Sequence, residues 1–435
     1  MKAIVLGAGL AGCEAAWQLA RRGIDVELIE MKPLRRQSAH QTDGLAELVC
    51  SNSLRSNAVD NASGLLKQEM RRLGSLILEA ADATALPAGG ALAVDRAAFS
   101  AHVAGRLASL SNLTITHREA TAIPDGPCVV ATGPLTDGAM AEAIAALCGG
   151  DELNFYDAVA PIVTRESVDM DKAFAQSRWG EGDGYLNCPL TEEEYNAFYD
   201  ELIAARTAEL HEQDRDFKVF EGCMPVEVMA RRGRQTLTFG PMKPIGLTDP
   251  HTGRRPYAVV QLRQDNREGT HYNLVGFQTQ LAWPEQRRVL RMVPGLEHAE
   301  FVRYGVMHRN TYLNSPNLLT RDFALRSRPD LFFAGQMTGV EGYVESAASG
   351  FVAGIALGRL LRGKSALNFC RRTVLGALGY YVADPPLPGH AFAPMNATFG
   401  ILEPLEGRVR GGRARRAAMA DRSLDYVELL ADQID

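Results

Sequence analysis

Three short segments at the start of the chain predict a strand, a helix and a second strand. Lys2–Leu6 is an apolar run after one lysine, and Cys13–Arg22 carries apolar residues at helical spacing. Gly23 ends that helix, and Asp25–Glu30 is a second apolar segment that finishes on an acid. This order of elements is the beginning of a doubly wound α/β fold.

Apolar strands of the same kind return much later in the chain. Cys128–Gly133 ends in Ala-Thr-Gly, and Asp330–Phe333 runs into a glycine-rich turn and then a small-residue helix from about Glu345. Because pieces of one fold lie at both ends of the chain, the middle is expected to be an insertion. We predict a discontinuous Rossmann-type domain, residues 1–153 and 290–435, and an inserted α/β domain, residues 154–289.

The middle and C-terminal parts carry weaker patterns. A segment rich in Asp and Glu predicts a helix around Thr191–Asp214, while Arg234–Phe239 and Tyr257–Arg263 predict strands broken by Pro and Gly. From Leu360 onward we predict a C-terminal extension with a helix over about Phe369–Tyr381, followed by a basic tail.

The loop between the first strand and the first helix has the sequence Gly-x-Gly-x-x-Gly. In such a loop the glycines permit a tight turn, a close approach of the backbone to a pyrophosphate, and packing of helix on strand. The helix N-terminus attracts the diphosphate, and the acid that ends the second strand stands where it can accept bonds from ribose hydroxyls. We therefore predict dinucleotide binding by Gly7, Ala8, Gly9, Leu10, Ala11, Gly12 and Glu30.

Two small-residue turns favour FAD over NAD as the dinucleotide. FAD-binding proteins with two dinucleotide folds use an Ala-Thr-Gly turn, here Thr132 and Gly133, where the chain crosses near the cofactor. The turn at Gly335 precedes a helix whose N-terminus would point toward the flavin end. Many such proteins carry Asp after that glycine, whereas this chain has Gln336, so backbone and amide groups are expected to make that contact.

The bulk composition is that of an ordinary globular enzyme. A net charge of -6 argues against a surface coated in positive charge but does not exclude a local basic patch. The seven cysteines show no CxxC or metal-type spacing, so we expect a reducing compartment, no disulfide framework and no metal. Met1–Cys13 imitates a lipoprotein signal but is interrupted by glycines, and no other stretch approaches the ~20 apolar residues of a membrane span. We expect a cytoplasmic protein without membrane contact.

Two of the cysteines stand in polar, charged surroundings. Cys50 lies among Ser and Asn residues with Arg55 nearby, an environment that lowers the pKa of a thiol. Cys223 stands by a Gly/Pro turn, with Glu227 four residues on and an arginine cluster beyond. A thiol near a base and near positive charge suits nucleophilic attack on an anionic substrate. Cys50 and Cys223 are therefore the predicted catalytic residues, with a half-buried structural thiol as the alternative for Cys50.

A set of motifs spread in order over nearly the whole chain makes a specific resemblance visible. By these motifs the chain resembles the folate- and FAD-dependent tRNA (uracil-5-)-methyltransferase family, TrmFO, and less closely the GidA/MnmG flavoproteins, which carry a long C-terminal helical region that this chain lacks. The resemblance implies a GidA-like fold. The motifs are Gly7–Gly12, Glu30–Pro33, Glu47–Arg55, Phe220–Glu227, Arg231–Leu247, Val259–Asp265, Asn273–Thr279, His308–Pro316, Ala334–Gly350 and Pro394–Gly400.

The resemblance implies methylation of carbon-5 of uridine 54 in the T loop of tRNA. It implies 5,10-methylenetetrahydrofolate as the carbon donor and FAD reduced by NAD(P)H as the hydride source. The two cysteines that this family links to catalysis correspond to Cys50 and Cys223. We expect Cys223 to add to carbon-6 of uracil, with Cys50 as a base, as a shield, or as the nucleophile in the reverse assignment.

Further substrate contacts are expected on two groups of residues. His308 or Tyr312 is predicted to stack on the pterin of the folate, and Asn310 to bond its edge or its glutamate tail, the alternative being a purely structural strand. Arginines of the insertion are predicted to neutralise tRNA phosphates, although a charged run is often only a solvated face. These are Arg231, Arg232, Arg254 and Arg255.

The residues by themselves leave two other functions open. An NAD(P)H-dependent flavin oxidoreductase without an RNA substrate would leave the cysteine motifs and the arginine clusters unexplained. A tRNA-binding factor with structural FAD would retain its function after replacement of both cysteines.

Overall fold

The computed structural model describes residues 1–37, 39–149, 152–158, 160–178, 182–208, 224–386, 388, 391–407 and 409–435. The strands are β1 Lys2–Leu6, β2 Asp25–Glu30, β3 Ser53–Ser56, β4 Ala85–Leu86, β5 Ala91–Val94, β6 Leu113–His117, β7 Cys128–Val130, β8 Glu152–Ala158, β9 Ile162–Thr164, β10 Phe174–Ala175, β11 Tyr185–Leu190, β12 Ala258–Gln264, β13 His271–Leu274, β14 Phe301–Arg303, β15 Met307–Leu313, β16 Ala324–Leu325 and β17 Arg328–Phe333. The helices are α1 Leu10–Ala20, α2 Ala62–Arg72, α3 Leu76–Ala83, α4 Arg96–Ala108, α5 Gly138–Cys148, α6 Glu192–Ala204, α7 Val226–Arg231, α8 Thr236–Phe239, α9 Trp283–Leu290, α10 Ser315–Leu318, α11 Tyr343–Leu361, α12 Val374–Ala383 and α13 Gly412–Ala431.

The first sheet has the strand order β16-β17-β7-β1-β2-β6. All neighbouring pairs from β17 to β6 are parallel, and only the edge strand β16 runs antiparallel. Strand β1 pairs with β2 on one side and with β7 on the other. It therefore lies at the switch point of the strand order, where doubly wound folds bind their ligands. The predicted α/β, Rossmann-type fold class is confirmed, and β1 and β2 have the predicted bounds.

Helices α1 and α11 approach each other backbone to backbone at two glycines of α11. A Cβ added at Gly350 would lie 2.1 Å from the carbonyl oxygen of Ala11, and one added at Gly354 would lie 2.7 Å from that of Ala15. Glycine at these positions therefore lets two backbones come into direct contact. By length and composition α11 could cross a membrane, which the sequence analysis had not anticipated, but 83% of its apolar stretch is buried inside the protein.

The second sheet is antiparallel, in the order β10-β11-β12-β13-β9-β14. Its apolar face packs against α6, α7 and α9 around residues such as Phe198, Leu262 and Phe277. The two-stranded pair of β8 with β15 lies at the point where the chain enters and leaves this part. Since β14 lies beyond residue 289, this sheet extends past the predicted insertion, and the division at 154 and 289 stays a prediction.

One local prediction is wrong, and one helix was not predicted. Arg234–Phe239 is no strand; Thr236–Phe239 forms the short helix α8, in which only Leu237 is buried. Its polar–apolar alternation resembles a strand, but the segment packs on α7 between two glycines and is not paired with a strand. The basic tail is also more ordered than expected, because Gly412–Ala431 forms α13, which buries Met419 and Val427.

Candidate functional site

A long cleft lies at the carboxyl ends of β1, β2 and β7. Its non-atom space is about 1190 Å³, part of which is open to solvent. Ten of the eleven predicted FAD residues line it: Gly7, Ala8, Gly9, Leu10, Ala11, Glu30, Thr132, Gly133, Gly335 and Gln336. The sequence-distant turns at 132 and 335 therefore meet the N-terminal glycine loop in one cleft.

Helix α1 begins at this cleft without a side chain capping its first turn. The N-cap residue is Gly9, where an added Cβ would meet no atom within 4 Å, so its backbone faces open space. The first amides of a helix have no partner within the helix, and here they are available to a ligand diphosphate. Gly12 has another role. A Cβ added there would lie 1.8 Å from the carbonyl oxygen of Gly7, so only glycine lets the helix pack this closely on the loop.

Glu30 ties the glycine loop to the second strand. Its Oε2 accepts the amide of Ala8 at 2.8 Å and its Oε1 accepts the amide of Lys32 at 3.0 Å. Each carboxylate oxygen has two lone-pair positions, so each retains one for a ribose hydroxyl. The Lys32 ammonium in turn donates to Glu47 at 3.2 Å, so a nearly buried ion pair lines the cleft beside Glu30.

The cleft fits FAD by its shape and its chemistry. An uncapped helix N-terminus faces the middle of the cleft, a buried carboxylate lies at one end, and turns with positive φ at Gly133 and Gly335 lie along its wall. Gln336 closes the far end, where its amide donates to Glu341 at 2.5 Å. The side chain of Gln336 therefore has a partner within the protein, and the neighbouring backbone remains for the cofactor.

A second cleft, of about 1060 Å³, adjoins the first. Val49, Gln336, Tyr343 and Ser346 line both clefts and form the wall between them. Cys50 lines the second cleft only and is partly exposed. A thiol on one side of this wall is thus placed beside the end of the cofactor cleft.

The backbone at Cys50 is held from two sides. The amides of Cys50 and Ser51 donate to the Tyr343 hydroxyl oxygen at 2.6 and 3.0 Å. On the other side, Arg303 donates to the carbonyl oxygens of Val49 and Cys50 at 3.2 and 2.7 Å. Burial raises the pKa of Tyr343 far above its ordinary value and lowers that of Arg303. The phenol therefore stays neutral and able to hold both amides.

A third group completes this clamp. Arg96 donates to the carbonyl oxygens of Leu48 and Cys50 and pairs with Asp265 at 3.1 Å. Arg96 lies on α4 and Asp265 follows β12, so the ion pair joins α4 to the end of a strand of the second sheet at the cysteine loop. Neither Arg96 nor Arg303 was predicted as a site residue. No local pattern marks them, because their function depends on carbonyl groups 46 and 253 residues away.

The second predicted catalytic cysteine, Cys223, lies outside the described residues. The chain that follows it is bound to the second cleft, since the Val226 amide donates to the carbonyl oxygen of Gln278, a residue of its lining, at 2.7 Å. Glu227 is fully buried and accepts bonds from Thr279 and the Gln280 amide, both at 2.8 Å. These bonds anchor Glu227 between α7 and the segment at 279–280, and its expected part as a base beside Cys223 stays a prediction.

The predicted folate residues lie on β15. Tyr312 is 7% exposed, its ring packs at a tilt against Phe392, and it lines neither of the two large clefts. Asn310 is also buried and lies outside both linings. His308 is described by its backbone alone, paired with Asp157 of β8. The folate assignment stays a prediction.

The four predicted tRNA arginines are all exposed, and they lie on two segments. Arg231 and Arg232 are at the end of α7, and Arg254 and Arg255 lie in the turn before β12. The segment between them carries Phe239, whose ring is 79% exposed, and Pro241, which contacts Gly276 of the second cleft's lining. The segment between the two arginine pairs therefore touches the lining of that cleft at Pro241.

Comparison with known proteins agrees with this architecture. Residues 2–365 match the family described as glucose inhibited division protein A. The GidA structure from Aquifex aeolicus superposes with a TM-score of 0.69 at 16% identity, covering 99% of this chain and 73% of that chain, and a second crystal form gives 0.68. At that identity the likeness shows the fold alone.

Two relatives are far closer in sequence. The methylenetetrahydrofolate--tRNA-(uracil-5-)-methyltransferase TrmFO of Bacillus licheniformis is 55% identical over 424 residues, 97% of each chain. The protein of the same name from Staphylococcus aureus strain Newman is 56% identical over 425 residues, 98% of this chain and 97% of its own. This chain therefore belongs to the glucose inhibited division protein A family and, within it, to the TrmFO methyltransferases.

Proposed function

We propose that this protein methylates carbon-5 of the T-loop uridine, uridine 54, of tRNA, with 5,10-methylenetetrahydrofolate as the carbon donor. The names of its relatives supply the reaction, and identity above one half over nearly the whole chain favours it over a plain oxidoreductase or a tRNA-binding factor. One structural observation carries the proposal. Cys50 lies in a cleft that shares a wall with the FAD cleft, so a base placed there reaches the flavin end without leaving the protein.

The cysteines perform the covalent chemistry in this proposal. Carbon-5 of uracil is a poor nucleophile until a thiolate adds at carbon-6, which forms the S–C6 bond and moves an electron pair onto the carbonyl oxygen O4. We assign this attack to Cys223 and removal of the carbon-5 proton to Cys50. The clamp of Tyr343, Arg96 and Arg303 holds the Cys50 backbone in place for that proton transfer.

The remaining reactants follow from the two clefts. FAD bound in the first cleft and reduced by NAD(P)H would supply the hydride that completes the methyl group. Glu30 and the N-terminus of α1 would hold its adenosine and diphosphate parts. Folate would be bound by His308, Asn310 and Tyr312 on β15, which requires that Tyr312 become more exposed than the structure has it.

The RNA contacts are proposed on four exposed arginines of the predicted insertion. Arg231, Arg232, Arg254 and Arg255 would neutralise phosphates, which makes binding fall steeply with salt. A uridine within a folded tRNA has to leave its stack to reach a cleft of this kind. We place the protein in the cytoplasm, with its tRNA and folate substrates.

The test is incorporation of carbon-14 from labelled methylenetetrahydrofolate into unmodified tRNA in the presence of NAD(P)H. Wild type, Cys50→Ala and Cys223→Ala are compared, with Cys370→Ala as a control for a cysteine outside both clefts. We expect label in 5-methyluridine for wild type and the control, and none for the other two variants. Absence of label from wild-type protein saturated with FAD would refute the proposed function.

A further inference from the structure

Arg55 has a backbone conformation that a residue with a side chain rarely adopts. It belongs to β3 on the wall of the second cleft, and its φ of 66° lies in the left-handed region. This conformation brings the Cβ too close to the following carbonyl oxygen, so it is retained only where the surroundings hold it. Outliers of this kind cluster at catalytic and binding sites, where the strain is part of how a side chain is positioned.

The surroundings of Arg55 do hold it. Its amide donates to the Ser53 hydroxyl at 3.1 Å. The carbonyl oxygen of the preceding Leu54 accepts a bond from the Lys67 ammonium at 2.7 Å, and Lys67 is fully buried. The buried amine of Lys67 thus holds the backbone next to Arg55, which fixes the direction in which the Arg55 side chain leaves the strand.

The guanidinium lies beside the wall between the two clefts. A Cβ added at Gly342 would be 3.5 Å from Arg55 Cζ, and Gly342 directly precedes Tyr343 of that wall. Arg55 Nη1 is 3.5 Å from Oε1 of Glu345, whose side chain is 1% exposed, while that of Arg55 is 41% exposed. The buried carboxylate therefore positions the guanidinium of a residue that lines the second cleft.

Arg55 is also the accessible cation of this cleft. The other arginine in the lining, Arg263, is 6% exposed and donates to Asn52 at 3.1 Å. Within the described residues the Arg55 guanidinium has the Glu345 ion pair and no side-chain hydrogen bond. The planar guanidinium of Arg55 has five N–H donors, and most of them are available to a substrate. They lie beside the wall that the second cleft shares with the FAD cleft.

We propose that Arg55 is a catalytic residue that donates hydrogen bonds to O4 of the target uracil. As the thiolate adds to carbon-6, the C5–C6 π pair shifts to C4–C5 and the C4–O4 π pair moves onto O4, so the thiolate's negative charge arrives at O4. A donor fixed before the reaction stabilises that charge more than it stabilises the neutral carbonyl. This inference rests on the proposed function and adds the group that receives the charge.

A contact with tRNA phosphate is the competing role for an arginine in such a cleft. The position of Arg55 favours the base over the phosphate, because the flipped uracil points toward the flavin end and its phosphates remain toward solvent. The guanidinium lies beside Gly342, next to the wall shared with the FAD cleft, and is paired with a buried carboxylate. Glu345 is in this scheme a positioning residue.

The experiment compares Arg55→Asn and Arg55→Lys with wild type. Asparagine tolerates the left-handed conformation, so the first variant removes the guanidinium without adding backbone strain, and the second retains a charge without the fork. Arg72→Gln is the matched control, since Arg72 is exposed to a similar degree, 39%, and paired with Glu428 away from both clefts. FAD content and thermal stability are measured for each, then kcat, KM for tRNA, and tritium release from tRNA labelled at carbon-5 of uridine.

We expect kcat and tritium release to fall together by about 10²-fold or more in Arg55→Asn, with KM for tRNA changed by less than about twofold and with FAD content unchanged. Arg55→Lys is expected to recover part of the rate. A raised KM at normal kcat would assign Arg55 to a phosphate and overturn the proposal, as would loss of FAD or full activity of the variants. A wild-type enzyme that methylates no tRNA would overturn the proposed function and this inference together, which distinguishes that failure from failure at Arg55 alone.

Discussion

Replacing Gly350 by alanine tests the close contact between α11 and α1. The added Cβ would lie 2.1 Å from the carbonyl oxygen of Ala11 and 2.8 Å from its Cα. Both neighbours are backbone atoms of a buried helix, so no side chain can rotate away. The two helices must separate by more than 1 Å, and the N-terminus of α1 at the FAD cleft moves with them.

The expected magnitude follows from two opposing terms. Overpacking of a core costs about 1–3 kcal/mol, and contact with rigid backbone places this site near the upper end. Replacing a helical glycine by alanine returns about 0.5–1 kcal/mol. We therefore expect Gly350→Ala to lower the free energy of unfolding by about 2 kcal/mol. The same change at Gly358 of α11, where the nearest atom is Leu19 Cδ2 at 3.6 Å, is expected to raise it slightly.

The assay is chemical denaturation of the two variants and wild type, together with titration of the FAD-free proteins with FAD by flavin fluorescence. Gly350→Ala should be less stable than Gly358→Ala by about 3 kcal/mol and should bind FAD more weakly, because its α1 N-terminus is displaced. Equal stability of the two variants would refute the reasoning, since it would mean that α1 and α11 do not approach as closely as the structure shows.

Three further changes test the cofactor cleft, the cysteine clamp and a buried lysine. Glu30→Gln, which removes one acceptor from the ribose end, should raise the Kd for FAD about 10–100-fold; an unchanged Kd in the same titration would remove Glu30 from the site. Arg303→Lys cannot hold the Val49 and Cys50 carbonyls together, so methylation should slow about tenfold at unchanged FAD content, and an undiminished rate would show that the clamp is dispensable. Burial lowers the pKa of Lys67 to about 7, below its ordinary value of 10.5, so the folded protein binds fewer protons than the unfolded chain between these values and wild-type stability rises with pH there. Relative to Lys67→Met, wild type should gain up to about 1.4 kcal/mol per pH unit above pH 7 in urea unfolding, and a flat difference would contradict the burial of a chargeable amine.

The part of the FAD site formed by β1, the glycine loop and β2 could be predicted because the residues that form it are close together in the sequence. The apolar runs that form β1 and β2, the glycine loop between them and the acid at the end of β2 lie within thirty residues. Backbone preference and hydrophobic periodicity act over that distance, so Gly7, Gly9 and Glu30 were found together with their chemistry. Periodicity was misleading at Arg234–Phe239, where only Thr236–Phe239 alternates between polar and apolar residues, too short a run to separate a strand from a helix, and packing on α7 decided for the helix.

By itself the sequence determined the fold class, the FAD cleft and the family. It also marked Cys50 as a thiol in polar surroundings. Only the tertiary structure decided what those surroundings are: Tyr343, 293 residues away, accepts the Cys50 amide, Arg303 binds its carbonyl from a strand of the second sheet, and Arg55 is held toward the cleft by Glu345. The physical reason is that such contacts arise from the packing of whole elements, whose relative positions no short stretch of chain specifies.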